Sequence, residues 1–301
     1  MVDPNDAIPL GHDGYLKLWA LRGPKIRGDF ILVDEAQDTN PVVLDVLQLQ
    51  SAQLVYVGDR YQQIYEWRGA VNAMESVAAD RTCYLTMSFR FGQPIADFAT
   101  RILRQLGEGR PLRGDPSVQS KIGMTRPNTI LARTNAGAMT AIIEALNANL
   151  RPHLVGGKEE MMGLLRGVAD LKDNRPSTEP MFFGFQSWAE VLEFVHEHED
   201  DQLTPFVNLV VSHSERQLMW ALNRTVEEDR ADLVISTAHK SKGREWDNVR
   251  LLDDFHTSTF RPAGRGPAVD PSEARLFYVA ATRARRELEV PAGMAAVYAP
   301  N

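Results

Sequence analysis

The sequence has few of the features that mark secreted, membrane or strongly basic proteins. It has one cysteine, Cys83, which excludes an internal disulfide and fits a reducing compartment. The N-terminus has no basic start and no apolar core, and no apolar run is long enough to span a bilayer. We therefore expect a cytoplasmic protein without a membrane partner. The formal net charge of −7 means that any nucleic-acid site must be a local groove on an acidic body.

The composition and the hydrophobic pattern indicate a folded α/β protein. The 301 residues suit one large domain or two medium ones, and a hydrophobic content of 44% is enough for a sizeable core. Strands that alternate with helices predict parallel sheets flanked by helices. The predicted strands are 30–35, 53–58, 82–87, 129–132, 231–236, 249–252 and 288–290, and the predicted helices are 41–50, 94–106, 136–149, 158–172, 187–199, 206–225 and 272–286.

The segment Ile31–Asp38 (ILVDEAQD) is an apolar run that ends in carboxylates. The apolar residues fit a parallel strand that is covered on both faces. Asp34 and Glu35 would then emerge at the carboxyl end of the strand, where open α/β sheets bind ligands. One carboxylate can hold Mg²⁺, and its neighbour can orient or deprotonate a water. Many strands end in acidic residues, so this segment alone does not decide the function.

Four further segments follow in a fixed order, and together the five resemble motifs II to VI of the UvrD/Rep-type superfamily 1 DNA helicases. Any one of them can arise by chance, but five in the correct order rarely do. The similarity is greatest to the F-box DNA helicase branch, in His12–Trp19 (HDGYLKLW), Ala238–Lys240 (AHK) and Glu245–Asp247 (EWD). The five segments are Val33–Asp38 (VDEAQD), Val57–Ala70 (VGDRYQQIYEWRGA), Leu85–Arg90 (LTMSFR), Ser236–Asp247 (STAHKSKGREWD) and Glu273–Ala284 (EARLFYVAATRA).

The resemblance implies ATP and Mg²⁺ as cofactors and gives roles to residues of the first two segments. Asp34 is the expected Mg²⁺ anchor and Glu35 the base that activates water, while Gln62 is expected to contact the γ-phosphate or the attacking water. Without the neighbouring motif, Gln62 would be interpreted as a surface glutamine.

The same loop carries the candidate contacts to single-stranded DNA. Tyr65 and Trp67 lie beside Arg68, and aromatic residues next to an arginine suit the stacking of unpaired bases. Without the motif around it, Trp67 would be better interpreted as a core tryptophan.

The resemblance also implies that Arg90 and Arg283 reach the γ-phosphate from the second domain, and that Phe89 packs near the adenine. An arginine in that role stabilises charge on the transferred phosphoryl group. Taken as lone residues, both arginines would be surface ion-pair partners.

The fifth family motif, at Ser236–Asp247, implies further contacts. Thr237 and His239 are expected to meet the DNA backbone, Gly243 to let a partner approach closely, and Glu245 to contact the nucleotide ribose. A lone histidine such as His239 is more often structural than functional.

One family element does not occur in this sequence. No segment reads Gly-x-x-x-x-Gly-Lys-Ser/Thr, the phosphate-binding P-loop. The nearest candidate, Val155–Glu159 (VGGKE), has Pro152 at the place of the first glycine and Glu159 at that of the hydroxyl. We therefore expect the phosphate cradle to lie outside this polypeptide, and ATP and Mg²⁺ to bind only weakly to the chain alone.

These expectations define two domains and three hypotheses. Residues 1–81 would be the C-terminal part of an incomplete first RecA-like domain, and residues 82–301 a second one with a reduced helical insertion near 158–225. The leading hypothesis is the C-terminal portion of an ATP-dependent DNA helicase, 3′ to 5′ by resemblance, that serves repair or recombination and is inactive alone. The alternatives are a non-catalytic module that binds DNA or a partner, and one half of a split helicase whose P-loop lies on a separate chain.

Overall fold

The computed structural model describes residues 11–198, 200, 203–255 and 270–299. The chain divides into two compact units, Met1–Tyr84 (unit 1) and Leu85–Asn301 (unit 2). Both are built on parallel strands flanked by helices, so the predicted α/β architecture is confirmed. Within the described ranges, every helix is too short or too polar to cross a bilayer.

Unit 1 is a two-stranded parallel sheet with helices around it. Ile31 lies opposite Leu54 in the register of the two strands. Asn40 caps the second helix by accepting the N–H of Val42 at 2.9 Å, and Pro41 occupies the first helical position. The elements are α1 (His12–Leu21), β1 (Phe30–Val33), α2 (Pro41–Gln48), β2 (Gln53–Tyr56) and α3 (Ala73–Ser76).

One face of strand β1 is not covered, which corrects the expectation of cover on both faces. Val33 packs on a small core that includes Ala36 and Leu44. Phe30 and Leu32 alternate with it and are 60% and 64% exposed. Successive side chains of a strand point to opposite faces, so the elements described in unit 1 cover only one side of its sheet.

The described part of unit 2 contains a sheet of six parallel strands. Their spatial order is β3-β8-β7-β4-β6-β5, with every neighbouring pair parallel. All four residues of β4 are buried, as expected for a strand near the centre of a sheet covered by helices on both faces. The strands are β3 (Lys121–Ile122), β4 (Thr129–Ala132), β5 (Pro152–Leu154), β6 (Leu233–Thr237), β7 (Trp246–Leu251) and β8 (Ala284–Glu289).

The helices of unit 2 enclose an aliphatic core and an aromatic one. Met139 on one helix and Leu165 on the next are fully buried in the aliphatic core. Phe98, Phe277 and Tyr298 form the aromatic core, with ring centroids 5.5 to 6.1 Å apart. The helices are α4 (Gln93–Gln105), α5 (Asn135–Asn147), α6 (Glu159–Lys172), α7 (Trp188–Glu197), α8 (Leu203–His213), α9 (Glu215–Leu222), α10 (Pro271–Ala281) and α11 (Ala292–Val297).

The helix predicted over 206–225 is wrong as one element, because two helices, α8 and α9, occupy this stretch. Ser214 separates them with a φ of 60° and a ψ of 151°, far from right-handed helical values, so the helix is interrupted there. Its hydroxyl accepts the N–H of Gln217 at 3.4 Å, so the residue that ends the first helix also caps the second.

The predicted helix 272–286 is too long, and the predicted strand 82–87 does not form. Helix α10 ends at Ala281, where the Thr282 hydroxyl donates to the carbonyl of Tyr278 at 2.9 Å, and β8 begins at Ala284. In 82–87, only Met87 makes a bridge, to Arg113. Leu85 is 91% exposed, and no strand of the described chain pairs with this segment.

Candidate functional site

The acidic pair of unit 1 lies directly after strand β1, as the sequence predicts. The Glu35 N–H donates to Oδ1 of Asp34 at 2.8 Å, and both residues are exposed. Glu35 has a φ of 50°, in the left-handed region that residues with side chains seldom occupy. The chain therefore turns sharply at this point, and the turn presents both carboxylates beyond the carboxyl end of the strand.

A buried glutamine, Gln37, links this turn to the next motif. Its Nε2 donates to Oε2 of Glu35 at 2.5 Å, and its Oε1 accepts the N–H of Asp59 at 3.1 Å. A Cβ at Gly58 would lie 2.3 Å from Oε1 of Gln37, so only glycine leaves room for this contact. Sequence reasoning did not single out Gln37, although it lies inside the acidic segment.

The bonds continue from Asp59 to the predicted catalytic glutamine. Oδ2 of Asp59 accepts from Nε2 of Gln62 at 3.0 Å, and Oδ1 accepts the N–H of Tyr61 at 3.0 Å. Asp34, Glu35 and Gln62 are therefore brought together by one series of hydrogen bonds through Gln37 and Asp59, which we name the acidic corner.

The aromatic loop of unit 1 follows the acidic corner. The Arg68 guanidinium lies 4.6 Å from the ring centroid of Trp67 and 5.5 Å from that of Tyr65. Trp67 is 69% exposed, so its interpretation as a core tryptophan is wrong. An exposed indole with an arginine held on its ring provides a flat surface for another planar group.

In unit 2, Arg90 is joined to Glu245 across a long stretch of sequence. Its Nε lies 2.7 Å from Oε2 of Glu245, and its Nη1 donates to the carbonyl of Thr282 at 3.1 Å. The hydrogen bond from Arg90 holds the pKa of Glu245 below its ordinary range, with smaller contributions from Arg285 and Arg283. Arg285 was not anticipated from the sequence. Phe89, next to Arg90, is exposed.

Arg283 is 2% exposed, and its guanidinium is used within unit 2. It donates to the carbonyl of Val279 at 2.8 Å, to that of Arg244 at 3.3 Å and to the hydroxyl of Thr282 at 3.0 Å. These bonds tie the end of α10 to the segment that leads into β7. The structure thus brings Arg90, Glu245 and Arg283 together through Thr282, and we name this set the arginine cluster.

The segment between β6 and β7 connects opposite edges of the sheet. Thr237 ends β6, whereas Glu245 directly precedes β7. The two strands are parallel, so the carboxyl end of one and the amino end of the other lie on opposite sides of the sheet. We name the side at which the strands end the carboxyl edge and the side at which they begin the amino edge. His239 therefore follows the carboxyl edge and Glu245 lies at the amino edge. Gly243 has a φ of 79°, so the turn itself requires glycine there.

We expect Gln37→Leu to loosen the acidic corner, because it removes both side-chain hydrogen bonds at nearly constant volume. The expected loss is about 2 kcal/mol of local stability, because each of the two hydrogen bonds contributes about 1 kcal/mol. Faster amide hydrogen exchange at Asp59, whose N–H bonds to Gln37, is the measurement. The control is Gln48→Leu on the neighbouring helix α2. Unchanged exchange at Asp59 in the Gln37 variant would count against the linking role.

The parallel sheets flanked by helices, with the acidic corner in unit 1 and the arginine cluster in unit 2, define the class of protein as α/β. The family profiles agree with this architecture. Residues 21–80 match the UvrD/REP helicase N-terminal domain, and residues 184–292 match the UvrD-like helicase C-terminal domain. The chain belongs to the UvrD-like helicase family.

Similarity to individual proteins extends over nearly the whole chain. F-box DNA helicase 1 of Gallus gallus is 31% identical over 91% of this chain and 30% of its own length. F-box DNA helicase protein 1 of Schizosaccharomyces pombe is 30% identical over 93% of this chain and 36% of its own length. ATP-dependent DNA helicase srs2 of the same yeast is 33% identical over 35% of this chain. The chain thus spans about a third of the length of the F-box relatives.

Proposed function

We propose that this chain is a portion of an ATP-driven DNA helicase that moves along single-stranded DNA in the 3′ to 5′ direction and serves repair or recombination. The observation that carries the proposal is the acidic corner, in which Asp34, Glu35 and Gln62 share one series of hydrogen bonds. Family membership supports it, and the full-length relatives are named DNA helicases.

The carboxylates of the acidic corner fit a magnesium ion that keeps most of its waters. The described part of the chain contains no group of three or more histidine, cysteine or acidic residues that could hold a metal ion by themselves. Mg²⁺ in nucleotide sites is commonly held by one or two carboxylates together with phosphate oxygens and water. Asp34 would be that ligand, and the bound ion would neutralise charge on the phosphates.

The other groups of the acidic corner suit the handling of the attacking water. The Gln37 amide fixes one oxygen of the Glu35 carboxylate, which orients the group as an acceptor for a proton from water. Gln62 is placed by Asp59, and an amide can both donate to a phosphate oxygen and accept from a water. We propose that Glu35 is the base and that Gln62 senses the γ-phosphate.

The ion pair between Arg90 and Glu245 provides a way to respond to nucleotide. A guanidinium binds phosphate with the same planar geometry as carboxylate, so a phosphate oxygen can replace Oε2 of Glu245 on Arg90. The released carboxylate would then accept hydrogen bonds from ribose hydroxyls. Phe89 would pack on the adenine, and Arg283 would support Arg90 through their shared contacts with Thr282.

We propose that single-stranded DNA binds at two places, the aromatic loop of unit 1 and the carboxyl edge of the sheet in unit 2. Trp67, with Tyr65 and Arg68 beside it, would stack on a base. Thr237 and His239 would contact phosphates. Binding to oligothymidylate should weaken steeply as the salt concentration rises. Binding releases counterions from the phosphates, and this release becomes less favourable as the ion concentration of the solution increases. Failure of the chain to bind single-stranded DNA even at low salt would contradict this function.

We expect the purified chain to hydrolyse ATP at a negligible rate, with or without DNA. A P-loop half, on the same gene product or on a separate chain, is proposed to supply the phosphate cradle and to cover the exposed Phe30 and Leu32 of strand β1. Release of inorganic phosphate is the measurement, with Glu35→Gln as the matched inactive control. Robust DNA-stimulated turnover that Glu35→Gln abolishes would contradict the expectation.

A non-catalytic regulatory module is the second candidate, and the burial of Arg283 favours it. Its guanidinium bonds to main-chain carbonyls, which gives the residue a structural role that needs no nucleotide. Nucleotide binding separates the two candidates. If a fluorescent ATP analogue with Mg²⁺ binds and Arg90→Gln weakens that binding, the helicase portion is supported. If the chain binds DNA but no nucleotide at millimolar concentration, the regulatory module is supported.

A further inference from the structure

A second exposed tryptophan with an arginine over its ring lies on helix α9, outside the motif segments. Trp220 is 56% exposed, and the guanidinium of Arg224, one turn later, lies 4.7 Å from its ring centroid. The arrangement repeats that of Arg68 on Trp67, where the distance is 4.6 Å. Helix α9 packs into the core through Leu218 and Leu222, which leaves the indole on the outer side.

The end of α9 lies next to a glycine turn that follows strand β5. Nζ of Lys158 lies 2.8 Å from Oδ1 of Asn223, which is three residues after Trp220 and therefore on the same face. Gly156 and Gly157 precede the lysine and carry no side chains, and their φ values of 81° and 76° are ones that glycine adopts readily. The turn is thus an open stretch of backbone with an ammonium group at one end.

The same turn contacts the segment that follows β6. A Cβ at Gly156 would lie 3.0 Å from Cδ of Lys240, so the lysine side chain rests on the turn. Lys240 directly follows His239, the proposed backbone contact. Strands β5 and β6 are parallel neighbours, and both segments leave the sheet at its carboxyl edge. A continuous surface therefore leads from His239 over Lys240 and the glycine turn to Trp220.

The charge and chemistry of this surface fit a nucleic-acid strand. Lys158 has a neutral amide oxygen as its partner, and Arg224 lies on an indole ring, so neither contact cancels a positive charge. Two carboxylates follow Lys158 in the first turn of α6: Glu160, whose Oε2 lies 2.8 Å from Nζ of Lys240, and the exposed Glu159. An exposed indole stacks on the face of an unpaired base, whereas the bases of a duplex are already stacked.

We propose that Trp220, with Arg224 and Lys158, forms a second base-stacking site that extends the single-stranded DNA track from His239 to helix α9. The inference rests on the proposed binding of single-stranded DNA in unit 2. Trp220 takes one base on its ring, Arg224 holds the indole face, and Lys158 lies close enough to meet the adjoining phosphate. The site is predicted to contribute only when a strand is long enough to reach it.

The test compares the affinity of the intact chain and its variants for oligothymidylates of about 4 to about 16 nucleotides, the range of known single-strand footprints. We expect Trp220→Ala to weaken binding of the longest strands about 5-fold or more and to leave the shortest unchanged. Trp220→Phe keeps a flat ring and should restore most of the loss. Trp19→Ala is the matched control, since it removes a partly exposed indole from unit 1.

Photocrosslinking gives an independent readout. Long strands that carry 5-iodouracil should crosslink to the peptide that contains Trp220, and short strands should not. If the wild-type chain binds long strands but Trp220→Ala binds them equally well and no crosslink maps to α9, the inference is overturned while the proposed function stands. If the wild-type chain binds no strand of any length, the proposed function itself fails and the inference fails with it.

Discussion

Replacing Phe277 by alanine is expected to destabilise unit 2 by about 3 to 5 kcal/mol, the usual cost of deleting a large buried side chain. Phe277 is fully buried on α10 and contacts three other rings. Its centroid lies 5.2 Å from that of Phe255, 6.1 Å from that of Phe98 and 5.5 Å from that of Tyr298, on which it stacks. The loss combines apolar transfer, the cavity that remains and the ring contacts.

Urea denaturation followed by circular dichroism measures the loss, and hydrogen exchange in α10 assigns it to unit 2. Phe183→Ala is the matched control, because Phe183 is 67% exposed and the same atoms are removed at little cost. Phe277→Leu should give an intermediate loss if the alanine variant does not fold. Equal midpoints for Phe277→Ala and Phe183→Ala would show that the aromatic core does not support the helix that leads to Arg283.

The features of unit 1 that were predictable from the sequence depend on local chemistry. A proline preceded by asparagine starts α2 wherever the helix packs, because the cap and the fixed φ act within three residues. The apolar run before Asp34 and Glu35 likewise predicts a strand, and the two acidic residues mark its carboxyl end. These local signals place the acidic segment at the end of a strand before any tertiary contact is known.

The features that were not predictable depend on contacts between distant residues. Gln37 joins Asp59 over 22 positions, and Arg90 joins Glu245 over 155 positions, distances that no local pattern reports. The end of α10 was not predictable because residues 282–287 (TRARRE) contain no glycine or proline, and the helix ends instead at the Thr282 hydroxyl and the pairing of β8. The roles of the candidate site residues remain predictions, because they depend on ligands.

Replacing Trp67 by alanine is expected to weaken binding of single-stranded DNA by about 1 to 3 kcal/mol, the stacking energy of one base. The Arg68 guanidinium already lies over the exposed indole, which lowers the cost of ordering the side chain when a base binds. Fluorescence anisotropy of labelled oligothymidylate across a series of salt concentrations is the measurement. Far-ultraviolet circular dichroism should be unchanged, since the side chain contributes little to the core.

The dependence on salt distinguishes stacking from charge at this loop. Trp67→Ala should lower affinity by the same factor at every salt concentration, because no phosphate contact is lost, and Trp67→Phe should restore most of the affinity. Arg68→Gln should instead reduce the slope of log affinity against log salt by about one if the guanidinium meets a phosphate. If this slope changes for Trp67→Ala but not for Arg68→Gln, the phosphate contact is made by a residue other than Arg68. Equal affinity of wild type and Trp67→Ala would remove the aromatic loop from the DNA track and leave the carboxyl edge of the sheet in unit 2 as the binding surface.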